Sequence, residues 1–381
     1  MIYALFIFIA SFVCSVIAVG LMIKISHKRA WYDHVNERKI HSGDVPRLGG
    51  IGFALVFIIA AAVICFSTRK LDSSIRLLPC LGGLVLTLIF GVIDDFRPMP
   101  PKLKLLIQFI AAVCVIIPGY TFHRMIYFET GFLGGLLSGL GWLGYPVSLL
   151  WLVGLSNAMN LIDGVDGLAG GLSALIAVTF GLIFLSYAET PQPVLFCVSL
   201  FGVLLGFLIF NAPIPRATIF MGDCGSQFLG FSLALLPLLE EHKTTADLPV
   251  LYAAALLAIP IFDTTAAVLR RIRDGKKIDS PDRAHIHHKL MNLGLNARQT
   301  VAALYALQIL LCALVYISVR VQGVLSLIIL GSAYCAVMAF FAVVHFLNRT
   351  VMLKNQNMTT AADGNVIQIT PPPPPVRGGH I

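Results

Sequence analysis

Nineteen acidic residues are few for a chain of 381, and the aspartates beside apolar stretches come in groups. Asp94 and Asp95 close one such stretch. Asp163 and Asp166 follow another, in Asn160-Leu-Ile-Asp-Gly164-Val-Asp-Gly. Asp223 lies in Phe220-Met-Gly-Asp-Cys-Gly-Ser, and Asp263 in Pro260-Ile-Phe-Asp. Adjacent Asp94 and Asp95 would diverge by about 100° on a helix, so each can serve a separate partner. Asp163 and Asp166, three apart, would share a helical face. Carboxylates gathered at one depth repel each other and stay ionised only beside a cation. Oxygen donors suit a hard metal, and Mg²⁺ takes one or two carboxylates together with substrate phosphate oxygens. Any one aspartate could simply cap a helix. As a set at membrane boundaries they read as a site, because acids near the apolar zone are costly. Glycines 164, 167, 170, 171, 222 and 225 accompany them and would let backbone approach a ligand or a neighbouring helix closely.

Two basic segments complement the acids. Arg38-Lys39-Ile-His41 leads to Pro46-Arg47-Leu-Gly-Gly, and Arg283 precedes His285-Ile-His287-His288-Lys289. Arginine offers forked donors to phosphate oxygens and lysine a point charge. Three histidines within four residues, with no Cys or Glu beside them, suit hydrogen bonds to an anion better than a transition metal. A metal–diphosphate meets both demands, bridging Mg²⁺ to aspartate while engaging Arg, Lys and His.

These residues sit on a membrane scaffold. The chain is 57% hydrophobic and 12% charged, with a mean hydropathy of +0.86. An ordinary soluble domain carries about twice that share of charge. The eight cysteines are scattered through apolar stretches without metal or disulfide spacing. The first apolar stretch lacks a basic leader and a cleavage site, so it is expected to remain as a span. About 20 apolar residues cross a bilayer. That length predicts an all-α polytopic protein of about eleven helices, near 2–23, 48–66, 77–93, 104–120, 145–161, 168–187, 193–211, 225–239, 248–269, 301–319 and 324–347. The Gly-rich 122–144 stretch reads as an extramembrane hairpin. With alternating loops, six of the 27 Lys and Arg (Arg69, Lys70, Arg76, Arg124, Lys243, Arg320) fall on one side and the remaining 21 on the other. The basic side is then cytoplasmic, with the N-terminus outside and the C-terminus inside. It holds loops 24–47, 94–104, 162–167, 212–224 and 270–300, and all four acid groups. Residues 1–347 form a single catalytic domain, and 348–381 a disordered tail ending in a stiff Pro371–Pro375 stretch.

The five motifs, collinear from Arg38 to Leu290, resemble those of the polyprenyl-phosphate N-acetylhexosamine-1-phosphate transferase superfamily (glycosyltransferase family 4). The His-Ile-His-His form is most similar to the branch acting on undecaprenyl phosphate and GlcNAc-1-phosphate. The resemblance implies a multi-pass enzyme of the bacterial inner membrane with a cytoplasmic active site. It implies dependence on Mg²⁺, replaceable by Mn²⁺, and transfer of HexNAc-1-phosphate from a UDP-N-acetylhexosamine to undecaprenyl phosphate. UMP is released and lipid-linked envelope polysaccharide synthesis begins. By the same resemblance Asp223 is a metal ligand with Asn160 as a further one. Asp94, Asp95, Asp163, Asp166 and His285 are catalytic. Arg38, Lys39, His41, Arg47, Asn160, Gly164, Phe220, Arg283, His287 and His288 contact substrate. A homodimer is compatible with the family, and a nucleic-acid partner is not expected. The phospho-MurNAc-pentapeptide translocase of peptidoglycan synthesis is the alternative within the superfamily. Outside it stand an ion-coupled transporter or flippase, disfavoured by the lack of inverted repeats, and an intramembrane aspartyl protease, disfavoured by acids at the membrane face.

Overall fold

The computed structural model describes residues 2–32, 45–67, 71–122, 141–187, 191–212, 216–239, 250–277, 280, 282 and 284–362. Arg38, Lys39, His41 and Arg283 lie outside the described residues. So do residues 123–140 of the expected 122–144 hairpin and the Pro371–Pro375 stretch.

The described chain is helical because its long apolar runs must satisfy their backbone groups internally. In order the helices are α1 (Ile2–Arg29), α2 (Gly49–Ser67), α3 (Leu71–Phe96), α4 (Pro101–Ile116), α5 (Gly144–Ile162), α6 (Leu168–Tyr187) and α7 (Gln192–Asn211). They continue with α8 (Gly222–Leu235), α9 (Val250–Leu256), α10 (Ala258–Arg273), α11 (Ile286–Asn292), α12 (Ala297–Arg320) and α13 (Val324–Ala362). Local chemistry sets several ends. Pro101 opens α4, where a missing N–H costs nothing. Asn296 and Gln299 form a reciprocal capping box on α12. His27, Lys28 and Arg29 end α1, favourable at a helix C-terminus.

Among the described residues, eight helices are long and apolar enough to cross a bilayer, or nine if α9 and α10 form one bent span. Where further spans were expected near 104–120 and 225–239, α4 has 16 residues and α8 has 14. The expected span at 248–269 is bent by 84° between α9 and α10. Pro260 accounts for the break, since its ring lacks an N–H and crowds the carbonyl four residues back, that of Leu256. That carbonyl instead accepts the Gln308 amide at 3.0 Å. At the C-terminal end α13 runs on to Ala362, past the expected boundary at 347. No Gly or Pro interrupts residues 348–362.

The core lies around α7 and α8. α1 packs on α7 through small residues: the Ser11 and Ser199 hydroxyls meet at 3.0 Å, and the Ser15 hydroxyl donates to the Val203 carbonyl at 2.7 Å. α8 is buried along almost its whole length and packs among α2, α3 and α5. Gly50 of α2 crosses Gly225 so closely that a Cβ on Gly50 would lie 2.3 Å from the Gly225 Cα. This crossing pins the first turn of α8, which carries Asp223.

Candidate active site

The acid corner forms where α3, α5 and α8 meet. Asp94 and Asp95 occupy the last turn of α3, and their side chains take separate partners. Asp94 accepts the Met99 N–H at 2.8 Å and pairs with Lys104 of α4 at 2.5 Å. Asp95 reaches across to α8, accepting the N–H groups of Asp223 at 3.0 Å and Cys224 at 3.2 Å. It thereby caps orphan donors at a helix N-terminus, where negative charge is favoured. Both aspartates are buried. Gly222 precedes the capped residues at φ +77°, a conformation that suits glycine.

Asp223 differs from its neighbours in being open. Its side chain is 50% exposed, with Lys104 Nζ 3.5 Å away. Asn160, in the last turn of α5, donates its amide to Asp223 at 3.2 Å and to the Ser226 hydroxyl at 2.9 Å. The Asn160 amide nitrogen thus ties the Asp223 carboxylate to the second turn's Ser226 hydroxyl.

Backbone pairing builds the adjoining wall. Phe220 N–H donates to the Pro46 carbonyl at 2.7 Å, and the Phe220 and Met221 carbonyls accept from Gly49 and Gly50 at 3.0 and 2.8 Å. This brings Arg47 beside α3, where its guanidinium donates to the Asp95 carbonyl. Phe220 stands next to it.

Asp163 and Asp166 lie in the turn between α5 and α6, not on a helix. The shared helical face expected from their spacing is therefore corrected. Ile162 ends α5, and Gly164 with Gly167, the latter at φ +79°, reverses the chain. Asn211 holds this turn by accepting the Gly167 N–H at 2.9 Å while donating to the Ile219 carbonyl at 3.0 Å. Tyr305 donates to the Gly167 carbonyl at 2.5 Å. Asp166 accepts the Ala217 N–H at 3.4 Å. Burial, and then the carboxylates of Asp223, Asp166 and Asp95, push Asp163 up to about 7.

The histidine corner abuts this turn. A Cβ on Gly164 would lie 2.4 Å from His287 Nε2. His285 and His287 lie with ring planes within 5° and centroids 6.0 Å apart, and His288 tilts over His287 at 4.3 Å. Burial, then the neighbouring His288, holds His287 down to about 4. His285 is buried and bonds through Nδ1 to Asp263 of α10 at 2.9 Å.

The fold thus gathers Asp94, Asp95, Asn160, Asp223, Arg47 and Phe220, and joins the Asp163–Gly164–Asp166 turn to His285, His287 and His288. Lys104 is a site residue that the sequence marks only as one of the charges on the basic side. Its spacing of nine from Asp95, across a Pro-rich turn, was the available signal. Asp263 had been grouped with the acids but given no role.

Among the described residues, no three His, Cys, Asp or Glu side chains form a ready-made metal cage. A half-open carboxylate with further carboxylates nearby fits a hard cation that completes its shell with substrate oxygens.

The profile of Glycosyl transferase family 4 matches residues 77–240. The chain is 36% identical over 298 residues to a probable undecaprenyl-phosphate N-acetylglucosaminyl 1-phosphate transferase of Bacillus subtilis, covering 78% of this chain and 80% of that protein. It is 32% identical over 283 residues to the undecaprenyl-phosphate alpha-N-acetylglucosaminyl 1-phosphate transferase of Escherichia coli K12, covering 72% and 73%. A Salmonella typhi protein of the same name is 32% identical over 301 residues, covering 76% and 77%. With the matched profile spanning both the Asp94–Asp95 pair and Asp223, and relatives aligned over most of their length, the chain belongs to glycosyl transferase family 4, in the undecaprenyl-phosphate N-acetylglucosaminyl 1-phosphate transferase branch.

Proposed function

We propose that this protein transfers GlcNAc-1-phosphate from UDP-GlcNAc to undecaprenyl phosphate, releasing UMP, at the cytoplasmic face of the bacterial inner membrane. The observation that carries the reading is the half-open Asp223 at the N-terminus of α8, bracketed by Asn160 and Lys104. The relatives' names support the same chemistry. Mg²⁺, held by Asp223 and Asn160, would offset charge on the donor diphosphate. In this reading α4 and α8 complete a set of about eleven spans, with the N-terminus outside and the C-terminus inside.

An oxygen of the lipid phosphate attacks the β-phosphorus of UDP-GlcNAc, and the bond from that phosphorus to the bridging oxygen breaks as UMP departs. A phosphate monoester has its second pKa near about 6, so the acceptor is mostly a dianion at pH 7. It needs little help from a general base. The chain's own task is positioning and electrostatics. Lys104 bridges Asp94 and Asp223 and presents a cation at the mouth of the acid corner. Asp95 keeps the first turn of α8 aligned, and Arg47 braces the end of α3.

The test is to incubate membranes containing the protein with labelled UDP-GlcNAc and undecaprenyl phosphate. Chloroform-soluble label that disappears with EDTA is the expected result. No lipid product from any UDP-HexNAc would overturn the proposal.

A further inference from the structure

The Asp263–His285 pair lies outside the acid corner, and the mechanism above leaves it unused. Asp263 is 2% exposed and His285 5%. Both carboxylate oxygens of Asp263 are engaged: one meets His285 Nδ1 at 2.9 Å, and the other accepts the Ile286 N–H at 2.8 Å. A single carboxylate thus orients the imidazole and caps the first turn of α11. The helix that carries Asp263, α10, packs against α5, which carries Asn160 and ends at the Asp163 turn. All of the ring's hydrogen bonds among the described residues run through Nδ1, which leaves Nε2 for a substrate. The ring lies parallel to His287, which packs on Gly164 of the same turn.

We propose that Asp263 is a positioning residue of the transfer reaction, holding His285 by Nδ1 so that Nε2 meets a phosphate oxygen of the donor diphosphate. The inference rests on the transferase reading above. A carboxylate on Nδ1 selects the tautomer and fixes the ring plane. In the protonated ring Nε2–H donates to the phosphate oxygen, and the buried carboxylate balances the charge. Asparagine cannot reproduce this, because its NH2 group, a donor only, would replace one of the two oxygens that accept from Nδ1–H and the Ile286 N–H. The charged and titratable groups around this corner are Asp263 and Arg270 on α10, Asp282 before α11, His287, His288 and Lys289 on α11, and His345 on α13.

The experiment compares full-length wild type, Asp263→Asn, His285→Ala and the double variant in lipid nanodiscs, with UDP-GlcNAc and undecaprenyl phosphate. Asp263→Asn is expected to lower kcat by about 10- to 100-fold, with KM for UDP-GlcNAc changed by less than about twofold. It is expected to displace the pH–rate profile, and to cost nothing more once His285 is alanine. The same fractional loss in both His285 backgrounds overturns the inference. A uniform loss at every pH, or no loss, does so too. Asp263→Glu keeps two acceptors and is run in the same backgrounds in case Asp263→Asn does not insert stably. It must show the same dependence on His285. Wild-type protein that makes no lipid product would fail the transferase reading itself. An active enzyme indifferent to Asp263 would fail only this inference.

Discussion

The two corners of the site are built on opposite plans. In the acid corner, buried carboxylates serve the scaffold. Asp94 is tied to Met99 and Lys104, and Asp95 to the backbone of α8, while Asp223 alone of the three stands half open. In the histidine corner His285 and Asp263 are both buried, and the carboxylate fixes the ring through Nδ1. The first corner leaves a carboxylate half exposed, as suits a cation that arrives with its substrate. The second orders its donor in advance, so no orientation has to be gained during the reaction. The Gly164–His287 contact joins them.

The largest effect should come from breaking the open carboxylate. Asp223→Asn is expected to lower turnover by about 10³-fold while leaving thermal stability near wild type, since that side chain is half exposed. Asp95→Asn sharpens the contrast. It removes one of two acceptors for α8 N–H groups and should also cost roughly 1–3 kcal/mol of stability, measured by thermal unfolding in detergent.

Gly164→Ala tests the seam. Its Cβ would lie 2.4 Å from His287 Nε2 and force the corners apart. Since a displacement of about 1 Å can cost 10²-fold, kcat should fall with little loss of folded protein. A variant with wild-type kinetics would show that the two corners act independently.

Acid should weaken the histidine corner first. Burial holds His287 down to about 4 in the fold, against about 6.5 in an unfolded chain. Between those values the unfolded chain binds more protons, so stability falls as pH drops through that window. The loss is on the order of 3 kcal/mol by pH 4. His287→Phe should flatten this part of the stability–pH curve.

The smallest effect is expected at the rim. Burial would raise the Asp282 carboxyl, but the Arg270 guanidinium, donating at 2.6 and 3.2 Å, and the Ala284 N–H together hold it below its usual range. Asp282→Asn should cost about 1 kcal/mol at neutral pH and less as acid protonates the wild-type carboxyl. Turnover measured alongside should stay near wild type.

The membrane class, most helices and the aspartate groups were legible in the chain because hydropathy and local spacing carry them. Helix breaks were less so. Pro260 stood in an apolar run that counted as one span, and only the rescue of the Leu256 carbonyl by Gln308 shows why the chain bends there. Periodicity also misled at Asp163 and Asp166, because Gly164 and Gly167 end the helical geometry that the spacing argument assumed.

The sequence alone determined that acids and cations gather at membrane boundaries, since burying an unpaired charge there is too costly to occur by chance. Tertiary structure decided which acid is open and which is structural. Asp94, Asp95, Asp163, Asp166, Asp223 and Asp263 are the same residue type in similar apolar settings. Their roles differ because Asp94, Asp95, Asp166, Asp223 and Asp263 find different N–H, ammonium or imidazole partners, from segments distant in the chain for all but Asp94, while Asp163 is buried among carboxylates.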